Sequence, residues 1–144
     1  MKDWDSGKGP SEERLADELE LFADLDEVGI AIIDLQQLVK CTAAHPEAIP
    51  VLVDHIQRDY HGAEAKAIAE ALMVADARPW LDTLIAEYER TDYESNQTKK
   101  DALAMTIGRI GRGYIPKTTI ERLFNEARHD KSRILLHYGL KNLI

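Results

Sequence analysis

Residues 100–111 read KDALAMTIGRIG, and the fold turns on two glycines in this run. Leu103, Ile107 and Ile110 recur at helical spacing, yet Gly108 and Gly111 interrupt the same turns. A glycine inside a helix costs about 1 kcal/mol relative to alanine, so the pair requires a compensating role. Setting AIAEALMVAD (67–76) beneath ALAMTIGRIG (102–111) supplies one. Ala67 meets Ala102, Ile68 meets Leu103, Ala69 meets Ala104 and Leu72 meets Ile107, at an offset of 35 residues. The last segment follows less closely, with Leu135, Leu140 and Leu143 below Ala102, Ile107 and Ile110. The preceding stretches align through Pro50, Leu52 and Ile56 with Pro79, Leu81 and Ile85. Small residues at Ala69, Ala71, Ala104 and Gly108 let neighbouring helices approach closely. Gly111 is expected in the left-handed conformation that ends a helix.

Working outward, the whole chain reads as helices. Residues 1–10, with two glycines and a proline, form a flexible leader, and residues 11–144 form one helical domain. A helix starts at Ser11, with Leu15, Leu19, Phe22 and Leu25 as its buried stripe. After Gly29, a second helix runs to Pro46. A third begins near Glu47, with Pro50 tolerable in its first turn. A fourth covers AEAKAIAEALMVADA, Pro79 opens a fifth, the opening stretch is the sixth, Ile120 to Ala127 mark the seventh, and KSRILLHYGLKNLI is the eighth.

Composition fits this reading. The chain has 144 residues, 44% of them apolar but only 6% aromatic, so the core is built from Leu, Ile and Ala. The net charge of −8 is uneven: residues 1–60 hold 14 acids and 5 bases, residues 61–144 hold 12 acids and 13 bases. Such acidity repels phosphate backbones and attracts basic proteins, making nucleic acid an unlikely partner. Cys41 is the only cysteine, which excludes an internal disulfide. No secretory signal and no bilayer-spanning apolar run is visible, so a cytoplasmic location is expected.

The succession IPVLVDHI, turn, AKAIAEALMVA resembles a HEAT repeat. Helix pairs recurring every ~30–40 residues are the signature of a helical solenoid. The resemblance implies an all-α fold: a short right-handed α-solenoid of antiparallel helix pairs, HEAT- or armadillo-like, with about eight helices.

Candidate chemistry is sparse. Cys41 and His45 stand one turn apart, but a helix end accounts for them, so no metal is expected. GRIGRGYIP holds three glycines, but a helix precedes it where a phosphate loop needs a strand. Arg109 and Arg112 are read as pairing with acids or lining a concave surface. Arg128, His129, Lys131 and Arg133 cluster at a turn, as the helix dipole alone would favour. Ser132 has no recognisable base, so neither catalytic residue nor cofactor is expected.

The acids Glu13, Asp17, Glu20, Asp24, Asp26 and Glu27 read as an exposed face that steers a partner, joined by Tyr60 and by Tyr93 in its polar setting TDYESNQ. A small, acidic, helical chain of this kind is similar to bacterial immunity proteins, which implies a non-catalytic module neutralising a cognate basic, nuclease-type toxin. The alternatives are a scaffold or regulatory HEAT-repeat subunit, self-associating through an uncapped C-terminal edge, and a HEAT-like DNA-repair enzyme.

Overall fold

The computed structural model describes residues 8–60 and 62–129; for residues 8–15, 17 and 127–129 the backbone alone is described. The eighth helix expected over KSRILLHYGLKNLI lies outside the described residues. Within them the chain is all-helical and contains no strand. Its elements are α1 (Lys8–Glu27), α2 (Leu35–Ala44), α3 (Ile49–Ile56), α4 (Gly62–Ala71), α5 (Leu81–Arg90), α6 (Gln97–Gly111) and α7 (Lys117–His129). Short 3-10 turns at Pro46–Ala48 and Ala75–Trp80 lead into α3 and α5.

Helix ends follow from identifiable residues. α1 stops where Gly29 takes φ 87°, a conformation that an L side chain resists. Gly29 N donates to Asp26 O at 2.9 Å and Ile30 N to Leu25 O at 3.0 Å, a Schellman pattern closed by the buried pair Leu25 and Ile30. The chain then runs non-helical to Asp34, so α2 begins five residues later than the apolar pattern predicts. Asp34 caps it, its side chain accepting from Gln37 N at 2.8 Å, while Gln37 Oε1 reaches back to Ile33 N at 2.8 Å. At the end of α6, the left-handed residue is Gly113 (φ 83°), not Gly111, which stays helical and buried.

Packing places α4 between α2 and α6, and α3 between α1 and α5, while α3 also packs on α4 and α5 on α6. The small-residue alignment describes this core well. Ala67, Ile68, Ala69 and Leu72 on α4 are buried, as are Ala102, Leu103, Ala104 and Ile107 on α6. Two threonines bond across these helices: Thr42 Oγ1 donates to Ala71 O at 2.6 Å, and Thr106 Oγ1 to Ala69 O at 2.8 Å. Hydroxyls so placed satisfy themselves on a neighbour's backbone, which requires the close approach that alanines permit.

The alignment of α3 with α5 needs correction. Burial matches residue for residue when Ile49 is set on Leu81, Leu52 on Leu84, Val53 on Ile85, His55 on Glu87 and Ile56 on Tyr88. Aligning Pro50 with Pro79 instead sets buried Val53 on exposed Asp82. The prolines mislead because Pro50 lies inside the first turn of α3, whereas Pro79 lies in the 3-10 turn before α5.

The stripe expected on α1 is also rotated. Leu21 and Leu25 are fully buried and Phe22 partly so, but Leu19 is 59% exposed. Leu21 and Leu25, one turn apart, are the fully buried pair of this helix, which packs on α3, while Leu19 stays largely in solvent. One prediction concerns the turn after α1: Gly29→Ala forces a β-carbon into positive φ and lowers stability by about 1 kcal/mol, read as a reduced urea midpoint with unchanged m-value.

Candidate protein-binding surface

The exposed charge is divided between the two sides of the molecule. The α1–α3–α5 side exposes Asp26, Glu27, Asp54, Asp59, Asp82 and Asp92, with Arg90 as an exposed base and Arg58 partly exposed between Glu20 and Asp54. The outward positions of α2, α4 and α6 instead carry Lys40, Lys66 and Arg109 against the half-buried Glu70 and Asp101. A surface of one sign attracts partners of the other over roughly a Debye length of ~8–10 Å. The acidic side is therefore the best-defined candidate for docking a basic protein.

The structure distributes the expected partner residues among different roles. Asp26 and Glu27 are exposed at the end of α1. Glu20 is exposed but carries Arg58, which also bonds Asp54 Oδ2 at 2.8 Å. Asp24 is half-buried and accepts from His55 Nε2 at 2.7 Å. Its carboxylate thus holds α1 to α3. The side chains of Glu13 and Asp17 lie outside the described residues. Tyr60 is only 3% exposed, and its hydroxyl lies 2.8 Å from His55 Nδ1. A ring so enclosed belongs to the core, which does not fit the surface role expected for it. Tyr93 is likewise half-buried and packs on the core despite its polar neighbours.

Behind the acidic side lies a polar network that sequence reading misses. The turn after α3 presents three carbonyls, each accepting from a side chain of the α5–α6 segment. Arg90 Nη2 takes Gln57 O at 2.9 Å, Lys99 Nζ takes Arg58 O at 3.0 Å, and Asn96 Nδ2 takes Tyr60 O at 2.8 Å. Lys99 is 2% exposed, and its ammonium also meets Glu87 Oε2 at 2.7 Å, itself 4% exposed. Arg90 binds that carboxylate from the outer side, at 3.0 and 2.6 Å. Lys100 does the equivalent for α5, with its Nζ on Thr91 O at 2.8 Å and over the Tyr88 ring at 4.5 Å. The only signal in the sequence is the pair Lys99–Lys100 early in an apolar helix, where the dipole disfavours cations.

Other candidates are resolved by their contacts. Cys41 is buried, which pushes its thiol above the ordinary range, and His45 turns instead to Glu47 at 3.2 Å. Arg109 and Arg112 are exposed. The turn beyond α6 is held by Arg78, whose Nε donates to Ile110 O at 2.9 Å with the guanidinium over Tyr114. Among the described residues, no group of three or more His, Cys, Asp and Glu gathers as metal ligands. No helix among them is long and apolar enough to cross a membrane. The cluster at 128–133 extends beyond the described residues.

Two predictions follow from buried charge. Glu87→Leu leaves the Lys99 ammonium without its anion and destabilises by about 3–5 kcal/mol; adding Lys99→Met recovers much of that loss, as denaturation midpoints of the two variants will show. Asp101, on α6, has its carboxyl raised from the ordinary 3.8 by burial. The folded chain holds this proton more tightly than the unfolded chain, so stability falls as pH rises from 3.8 through the raised value. Asp101→Asn is therefore more stable than the parent at pH 7, and the difference disappears below the ordinary value, measurable by thermal melts across pH. Comparison with protein-family models, curated proteins and solved structures finds no match for this chain.

Proposed function

We propose that this chain is a non-catalytic protein-binding module, a short right-handed HEAT-like solenoid whose acidic side docks a basic protein. The observation that carries the reading is the excess of acids over bases among the exposed charges of α1, α3 and α5 and the turns that follow them. Three features support the stacked geometry: helix pairs that pack in succession, matched burial of α3 with α5, and matched burial of α4 with α6. Extended surfaces assembled from such units suit the recognition of other proteins. A small acidic module that captures a basic nuclease-type toxin in the bacterial cytoplasm, as an immunity protein does, is the specific form of this proposal. Its acids would act mainly on association rate, with Asp26, Glu27, Asp54 and Asp82 exposed to steer the encounter.

The test is co-purification with the product of the adjacent upstream gene, together with protection of a host expressing that product. A complex is expected whose association slows at least tenfold in the variant D26N/E27Q/D54N/D82N at low salt and converges with the parent at high salt. Absence of both complex and protection overturns the toxin assignment. A complex indifferent to those substitutions overturns the acidic docking side.

A further inference from the structure

A separate feature lies on the opposite side of the molecule, in the groove between α4 and α6. Lys66, Glu70 and Met73 line one wall; Thr98, Asp101 and Met105 line the other. Met105 is 39% exposed, one of the few large apolar side chains on the described surface, and Met73 is half-buried. Thioether side chains are flexible and polarisable, and they accommodate alkyl chains of varied shape.

The groove also holds unsatisfied charge. Asp101 Oδ1 is shielded from solvent and has no hydrogen-bond partner. Among the described residues no cation within ion-pair distance of Asp101 is present, although Gln97 donates to its carboxyl group. Glu70 adds a second carboxylate opposite, leaving the groove with more acid than base despite Lys66. A half-desolvated carboxylate without a counter-charge is costly, and a cation is the group that relieves it.

We propose that this α4–α6 groove receives an arginine or lysine side chain of a partner protein, its alkyl stem between Met73 and Met105 and its cationic head on Asp101 and Glu70. The combination selects for a long side chain that is apolar along its length and charged at its end. A purely apolar side chain leaves the carboxylates unanswered, and an anionic one is repelled. The docking is independent of the acidic side discussed above, because none of its residues lies on α1, α3 or α5.

Methyl-labelled methionine tests it directly. The probe is the peptide acetyl-Leu-Arg-Leu-amide, titrated into the full chain while the Met73 and Met105 methyl signals are followed by NMR. Saturable shifts of both signals are expected. The peptide with citrulline in place of arginine, equal in shape but neutral, should bind at least tenfold more weakly. Asp101→Asn should weaken the arginine peptide to a similar extent while retaining the native methyl spectrum, and Glu121→Gln on α7, an exposed acid outside both surfaces, should leave it unchanged. Equal binding of the citrulline peptide, or full binding by Asp101→Asn, overturns the proposal. So do methyl shifts that grow with protein concentration alone, since they place a second copy of the chain in the groove.

Discussion

The turn after α3 imposes the constraint on which much else depends. A helix end leaves carbonyls without helical partners, and here three of them face side chains of the next helix pair. Arg90, Lys99 and Asn96 donate to Gln57 O, Arg58 O and Tyr60 O respectively, with Arg58 O also accepting from Tyr60 N at 2.9 Å. Two of the three are cations, which the negative end of the α3 dipole favours. Lys99 can occupy so dry a position only because Glu87 neutralises it at 2.7 Å. The α3–α4 turn is therefore braced by residues more than thirty positions further along, and opening the α5–α6 segment would leave it only its own backbone donors.

Equivalent positions on successive helices are filled with different chemistry to the same end. His55 and Glu87 align when α3 is superposed on α5 by burial, and both are enclosed. His55 reaches back to Asp24 on α1. The Glu87–Arg90 unit reaches back to the carbonyl of Gln57, and Arg122 on α7 reaches back to Glu89 at 2.9 and 3.2 Å. Each helix on this side thus fastens itself to its predecessor through polar atoms. No single residue type marks the position, so the recurrence is invisible to a comparison of letters.

That contrast explains what sequence reading recovers. Helix content, the small-residue faces of α4 and α6 and the pairing of those two helices are legible, because periodicity and side-chain volume are local properties. Glu20 and Asp24 are indistinguishable by pattern from Asp26 and Glu27, yet exposed Glu20 binds Arg58, and Asp24 is drawn half under cover by His55. Which acids are solvated depends on where α3 lies, a non-local fact. Tyr60 is hidden for the same reason: it is buried and its hydroxyl meets the enclosed His55 of α3, although its neighbours in sequence are polar. Leu19 departs in the opposite sense, being apolar yet 59% exposed.

Thr42 and Thr106 both join α4 to a flanking helix, but they are not equivalent. Thr106 Oγ1 lies 2.8 Å from Ala69 O and 2.9 Å from Ala102 O on its own helix, whereas the bond from Thr42 goes to Ala71 O. One hydroxyl proton cannot serve two acceptors fully, so a small slide of α6 along α4 transfers the bond from neighbour to self without leaving the oxygen bare. The α4–α6 seam thus keeps its buried hydroxyl satisfied through small displacements.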